Sequence, residues 1–485
     1  MIVKDKLYIN TQELGPNLGA LCKQFTYKNP EWEERKRQKY STYGIDEYLF
    51  HYKIESIQGN RMLILPRGGL SRVKDFFKER DLKLNIVDRR IEHSLLDCKL
   101  VGTVLDKQQK QIIDVLIKNE GGLAQAIPGA GKTISVLGVI DRIKQPTLIL
   151  VHEHRLSSQW IRQIKKRLKG NFILGELNGD RKKDGDIVVG IIDTIHIMYK
   201  EDPKYFDKFG MLVIDETHHI PAPTFIGFVN NIAAKYRIGV TGTIKRRDGK
   251  HILTYDLLGE KLIDIDAKDV KHRVTNFKYR IINTNIRFEI PGIVRWTGKK
   301  RERMIDFTKC IGVITENEDR NNIIISELVK AIAEGYYPLV LSDRIEHNEK
   351  LYEHITSLGY KAVLLIGKTR KKTNWEEIQQ DETIQCIVAN TKIASEALDL
   401  PRLSAVFLTC PSSNLEKLKQ QIGRVRRFLD GKIEPIVYDF CDNLAFFIDD
   451  RGSIVDLLKV MAIKRLRYYK ELQKEYHQEE QETVV

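Results

Sequence analysis

Cysteine is scarce in this chain: six residues of 485, at Cys22, Cys98, Cys310, Cys386, Cys410 and Cys441. None has a neighbour at the short spacing of a zinc site or of a small disulfide scaffold, and that points to a reducing cytosol. Long apolar runs are missing too. Nothing approaches the roughly 20 residues that cross a bilayer, and residues 1–6 lack the apolar core of a secretory signal. A soluble, intracellular chain with no membrane partner is expected. Internal repeats and low-complexity blocks are absent. The histidine pairs His152/His154 and His218/His219 have no further close ligands, so no histidine metal centre is expected.

What is present is a globular balance of 42% hydrophobic and 30% charged residues with a net charge of +14. A basic surface attracts polyphosphates and favours nucleic acid over acidic substrates, although lysine-rich soluble proteins share that property. At roughly 150 residues per domain the length suggests two large domains and an accessory piece.

From about Leu105 onward, short β-branched runs alternate with longer amphipathic stretches, the pattern of α/β domains with parallel sheets covered on both faces. Buried strands are predicted at residues 147–151, 187–190, 211–214 and 238–240, and a second series at 338–341, 362–365, 385–389 and 405–408. Residues 245 to about 310 read as a basic, irregular connector plus an opening hairpin or helix. The first hundred residues mix aromatic and basic side chains, among them Phe25, Tyr27, Lys28, Arg35, Lys36, Arg37, Lys39 and Tyr40. With a helix at 70–79 and a strand near 84–87, they read as a small α+β domain. Residues 461–482 predict a charged helix packed on the second large domain. The expected division is 1–95, 96–262 and 263–485.

Three motifs are candidates for chemistry. In Ala126-Ile127-Pro128-Gly129-Ala130-Gly131-Lys132-Thr133, small residues before a helical run let backbone N–H groups curl around phosphate oxygens. Lys132 is then placed for the β and γ phosphates, and Thr133 offers a hydroxyl to magnesium. The first position is alanine where the pattern has glycine. Downstream, Asp215-Glu216-Thr217-His218 follows an apolar strand, so its carboxylates emerge at the carboxyl edge of a parallel sheet. Asp215 suits magnesium and Glu216 suits the attacking water, with His218 a candidate link to Thr241-Gly242-Thr243. In Gln420-Gln421-Ile422-Gly423-Arg424-Val425-Arg426-Arg427, helical spacing groups Gln420, Arg424 and Arg427, the arrangement of arginines that reach a γ-phosphate. A solvated basic helix would show the same string.

The ordered set, beginning with Gln109 and ending at Arg427, resembles the superfamily-two DExH helicases over residues 104–442. The resemblance implies two RecA-like domains in tandem with the small N-terminal domain, and a nucleic-acid-stimulated ATPase using ATP and Mg²⁺. It implies Lys132, Glu216, Gln420, Arg424 and Arg427 as catalytic residues. Gln109, residues 128–133 and Asp399 would bind nucleotide, and Thr133 and Asp215 the metal. His154, Arg155, Thr194, Arg344, Lys368, Thr391 and Lys392 would contact nucleic acid. The Asp-Glu-Thr-His and Gly-Arg-Val-Arg-Arg signatures are closer to the XPB-like and phage UvsW-type DNA enzymes than to DEAD-box proteins. Around Asn29-Pro30 and residues 63–77 the front end resembles the UvsW-type DNA-binding domain. Ala397 stands where the family often has glycine. The implied function is an ATP-dependent DNA helicase or translocase that remodels branched DNA, with 3′ to 5′ polarity. It would be a monomeric motor on single-stranded and branched DNA, working with replication or recombination proteins in a bacterial or phage-infected cytosol. A restriction-enzyme motor subunit, an RNA helicase and a catalytically dead scaffold are the alternatives; no appended nuclease signature is visible.

Overall fold

The computed structural model describes residues 1–485 apart from 38–39, 180, 218–222, 243–251, 271–273, 289–291, 298–299, 368–374, 392, 394–399, 413, 445–446, 449–453 and 478–485. The chain divides into two compact units, residues 1–127 with 131–265, and 266–485 with 128–130. No helix among the described residues is long and apolar enough to cross a membrane.

In the first unit, Thr147–Val151, Ile187–Ile191 and Met211–Asp215 are buried at every position. Continuous burial rather than alternation marks a parallel sheet covered on both faces. Eight strands lie in the order Lys182–Lys183, Leu174–Leu177, Ile187–Ile191, Thr147–Val151, Met211–Asp215, Tyr236–Thr241, Gly121–Ala126, Lys261–Ile265. All neighbours are parallel except the Lys182–Lys183 edge. The parallel strands therefore all end at the same carboxyl edge, where ligands of such sheets bind.

The front of the chain is α+β, as its composition predicts. Its sheet runs Lys53–Ile57, Asn60–Pro66, Lys6–Asn10, Ile2–Val3, Val87–Asp88. The helix Leu70–Glu79 buries Val73, Phe76 and Phe77, spaced to share one face, against a core containing Leu7, Ile9, Leu63 and Leu65. Phe25 is fully buried in that core, so it is a packing residue and not a candidate for stacking on bases.

This piece is built into the first unit. Buried Asp256, on the helix Ile252–Leu258, receives His51 Nδ1 at 2.5 Å, Tyr27 OH at 3.1 Å and the Arg72 guanidinium. Buried Arg237 donates to the carbonyl of Asp5 at 2.8 Å, and Arg67 to that of Ala234 at 2.5 Å. These guanidiniums bridge backbone carbonyls, which satisfies groups that would otherwise cost roughly 1–3 kcal/mol each when buried.

The second unit holds six parallel strands in the order Lys278–Phe288, Ile436–Leu444, Ala405–Leu408, Pro338–Ser342, Cys386–Asn390, Ala362–Leu365. Of the stretch expected as an irregular connector plus an opening hairpin or helix, the hairpin is present, and the described residues add a strand that the sequence did not predict. Lys278–Phe288 is an edge strand, and Gly292–Thr297 pairs with Lys300–Ile305 as a hairpin. The polar, half-exposed sequence of Lys278–Phe288 hid that strand: only one face meets the sheet's core. The helix Leu457–His477 docks through buried Arg465, whose guanidinium meets Asp439 with two bonds of 2.8 Å, and through Tyr469 OH on the same carboxylate at 2.7 Å.

Candidate nucleotide and nucleic-acid site

The strand Gly121–Ala126 ends where the phosphate-loop motif begins, and the helix Lys132–Ile143 follows it. Gly129 and Gly131 have φ of +92° and +86°, a region that costs other L-residues roughly 1–2 kcal/mol. That explains glycine at both positions. Gly131 caps the helix with no side-chain hydrogen bond, so first-turn N–H groups are left for an anion rather than for a serine or aspartate cap. Lys132 Nζ rests on the carbonyl of Ala126 at 2.9 Å, folded back over the loop. Thr133 is half-buried in the first helical turn.

Asp215 closes its strand two places along the sheet, beyond Tyr236–Thr241. Its Oδ1 accepts the N–H of Glu216 at 3.0 Å, and its Oδ2 accepts the indole N–H of Trp160 at 2.9 Å. Burial, then the neighbouring Glu216 charge, push this carboxyl up to about 6, against the opposing pull of Trp160 and Lys132. A buried carboxylate beside another carboxylate and a lysine is a site short of positive charge, which suits a divalent cation. Glu216 takes a left-handed backbone, φ +51°. Its Oε2 accepts from Thr241 Oγ1 at 3.2 Å and from the N–H of Gly242 at 3.3 Å. The link to the Thr241-Gly242 segment is therefore made by Glu216; His218 and Thr243 lie outside the described residues.

Gln109 is fully buried in the first turn of the helix Lys107–Lys118. It completes a capping box with Asp106, accepting from the Asp106 N–H at 3.1 Å while its own N–H reaches the Asp106 side chain at 2.7 Å. Its Nε2 is buried with no acceptor among the described residues. An amide held by its oxygen, with a spare donor, fits a nucleotide base that offers a ring nitrogen.

The strand order gathers the other candidates. His154 and Arg155 open the helix after Thr147–Val151, and Thr194 lies in the first turn of the helix after Ile187–Ile191, with Val151 and Ile191 in register. In the second unit, Arg344 follows Pro338–Ser342 and Thr391 follows Cys386–Asn390, with Ser342 and Asn390 in register. Arg344 already donates to the carbonyl of Thr308 at 2.6 Å, and Thr391 is buried. Lys368, Lys392 and Asp399 lie outside the described residues.

Gln420 and Arg424 sit half-buried on the helix Leu415–Val425, which Asn414 caps through the N–H of Lys417 at 3.2 Å. Arg427 is half-buried just past its end, and burial lowers its guanidinium from the ordinary value. Arg426 is structural: its Nε donates to the carbonyl of Thr275 at 2.8 Å, and its guanidinium lies over Phe277. Lys432 was not singled out by the sequence. Its Nζ donates to the carbonyls of Val425 and Arg427 at the helix end, and of Pro401 and Leu403. A lysine seven residues past the helix end gives no spacing signal of that role. Trp160, to which the sequence assigned no role of its own, lies in a buried stripe with Ser157 and Ile164.

The chain resembles known helicase domains in both of its units. The family model "Type III restriction enzyme, res subunit" matches residues 103–246, and "Helicase conserved C-terminal domain" matches residues 308–429. The chain is 25% identical over 409 residues to the "Probable helicase D10" of Escherichia phage T5, covering 83% of this chain and 85% of that protein. It is 24% identical over 388 residues to the "DNA 3'-5' translocase XPB2" of Sulfurisphaera tokodaii, covering 73% and 87%. The structure of S. cerevisiae Dbp5 bound to RNA and ADP BeF3 shares the fold, with a TM-score of 0.51 at 12% identity over 76% of this chain and 87% of that one. With tandem RecA-like sheets, a formed phosphate loop, and helicase domains matched in both units, the chain is a superfamily-two helicase, an ATP-hydrolysing enzyme acting on nucleic acid.

Proposed function

We propose that this enzyme is a DNA translocase that remodels branched DNA, by fork regression or junction migration, with 3′ to 5′ polarity on the tracking strand. In this reading the N–H groups of residues 128–133 and Lys132 hold the ATP phosphates, and Gln109 reads the base. Thr133 and Asp215 hold magnesium, which when bound neutralises charge on the phosphate oxygens. Glu216 orients a water and takes its proton as that oxygen bonds to the γ-phosphorus and the bond to the β–γ bridging oxygen breaks. Arg424 and Arg427 stabilise charge on the transferred group, with Gln420 beside them. His154, Arg155, Thr194, Arg344, Lys368, Thr391 and Lys392 grip the nucleic-acid backbone.

The observation that carries the DNA-branch reading is the surface of the small domain. Tyr43 is 97% exposed and Phe50 61%, on the excursion that includes the Thr26–Lys28 and Tyr48–Phe50 hairpin. Beside them, the helix Pro30–Arg37 ends in Arg35, Lys36 and Arg37. Exposed rings stack on unpaired bases, and the cations neutralise the flanking phosphates. ATPase rates with single-stranded DNA, branched DNA and RNA, together with dissociation of a labelled four-way junction, test it. Tyr43→Ala/Phe50→Ala should slow junction dissociation about 10-fold or more, since each stacked base contributes about 1–3 kcal/mol, while single-strand-stimulated ATPase stays intact. Unchanged junction dissociation, or a preference for RNA duplexes, overturns the reading.

A further inference from the structure

We propose that Trp160 is a positioning residue for the metal site: its indole N–H fixes Asp215, and its helix ties that carboxylate to the nucleic-acid contacts at His154 and Arg155. The inference rests on the reading of Asp215 as a metal ligand.

Packing alone does not call for an indole here. Trp160 is 1% exposed, so its N–H must find an acceptor, and it finds Oδ2 of buried Asp215 at 2.9 Å. A phenylalanine or leucine would fill the same wall without this requirement. The Glu216 N–H holds the other oxygen at 3.0 Å, so both carboxylate oxygens are oriented by donors in advance. Each oxygen has two lone pairs, and one on each is left for a cation or its water. Residues that hydrogen-bond to a metal's ligand in this way set its orientation and its affinity.

The second half of the argument is topological. The helix His154–Arg167 springs from Thr147–Val151, which is paired on one side with Ile187–Ile191 and on the other with Met211–Asp215. Candidate nucleic-acid contacts leave the first two strands, and Asp215 ends the third. Trp160 is six residues beyond His154, about 9 Å along the helix axis at 1.5 Å per residue. The buried face Ser157, Trp160, Ile164 keeps the helix on the sheet, and Ser157 Oγ is anchored to Glu176 at 3.1 Å. A small turn or slide of this helix, caused by nucleic acid at its first turn, moves the indole donor relative to Oδ2.

Trp160→Phe keeps the ring volume and removes the N–H. Binding of ADP measured by calorimetry without nucleic acid, in excess Mg²⁺ and in EDTA, separates positioning from packing. The expected result is that the gain in affinity from Mg²⁺ shrinks about 10-fold, the lower end of what such supporting residues contribute. Affinity in EDTA stays within about two-fold. An equal loss in both conditions, or no loss in either, overturns the proposal. A second measurement needs no change at Trp160: with Trp32, Trp296 and Trp375 replaced by Phe, emission from Trp160 should shift when Mg²⁺ is added to the ADP complex, and constant emission overturns the proposal. Asp215→Asn checks the underlying reading. If it keeps the full Mg²⁺ dependence, the metal assignment itself fails. If it loses that dependence while Trp160→Phe keeps it, only the role of Trp160 fails.

Discussion

Replacing Glu216 by Gln should stop turnover and at the same time stabilise the first unit. Glutamine retains a carbonyl oxygen for Thr241 Oγ1 and the Gly242 N–H, now bonded at 3.2 and 3.3 Å, and the same Cβ at φ +51°, so the local backbone has no reason to move. What disappears is the base and a negative charge. Losing a positioned base costs about 10²–10⁴-fold in rate, with ATP binding kept. The charge matters because Asp215 is displaced from 3.8 to about 6, burial being the first cause and Glu216 the second. At about 1.4 kcal/mol per unit, the whole displacement corresponds to about 3 kcal/mol, and relieving its repulsive part contributes on the order of 1 kcal/mol. For a unit of this size that is a rise of about 2–4 °C in melting temperature. Steady-state ATPase, ATP binding and calorimetry in Mg²⁺-free buffer at neutral pH check all three. Lys132→Ala is the contrast, losing binding and turnover together. Near-normal turnover in Glu216→Gln would refute the assignment of the base, and a lower melting temperature would refute the repulsion argument.

Replacing Arg424 or Arg427 by Ala should lower nucleic-acid-stimulated turnover about 10³-fold while ATP affinity changes little; a variant that lost only nucleic-acid binding, with turnover per bound complex intact, would contradict this. His347 gives the second unit an acid sensitivity. It is buried between Ser342 Oγ and Asn321 Oδ1 at 2.9 Å each, and burial beside Arg320 and Lys350 pulls it down to about 3. The folded state holds it neutral while the unfolded chain takes a proton near 6.5. Its contribution is therefore complete above about pH 6.5 and falls by about 1.4 kcal/mol per unit as pH drops toward 3. His347→Gln should move the acid-unfolding midpoint of this unit to lower pH, and an unmoved midpoint would count against the assignment.

The local geometry of the candidate nucleotide site was legible because its motifs are written in consecutive residues. Gly129 and Gly131 stand where positive φ is needed, and the Asp215-Glu216 pair follows a run of four apolar residues that reads as a buried strand and is one. Burial at every position likewise made the central strands readable. Lys278–Phe288 was not, because an edge strand with one covered face carries a half-polar sequence. Contacts between distant segments were equally hidden. Trp160 and Asp215 are 55 residues apart, and no property of either names the other. Only the strand order brings the helix after Thr147–Val151 against the strand that ends in Asp215.

The front of the chain shows how far composition alone can mislead. Its mixed aromatic and basic residues have three different roles. Phe25 is core, with Arg72 lying over its ring at 4.4 Å. Tyr27, His51 and Arg72 converge on Asp256, more than 180 residues away in sequence at the closest. Tyr43 and Phe50 are left at the surface, and Trp32 lies between them in character, half-buried with Lys28 and Lys36 over its ring. The first two groups hold the domain in place, and only the third can meet a ligand. Removing residues 1–95 would leave the Asp256 carboxylate without three partners and the Arg237 guanidinium without the carbonyl of Asp5, a change that costs about 3–5 kcal/mol where a buried charge loses its partner. A truncated protein that failed on junctions would therefore report a damaged first unit as readily as a lost DNA contact. Substitution at exposed Tyr43 and Phe50, which belong neither to the core cluster nor to the partners of Asp256, isolates the contact.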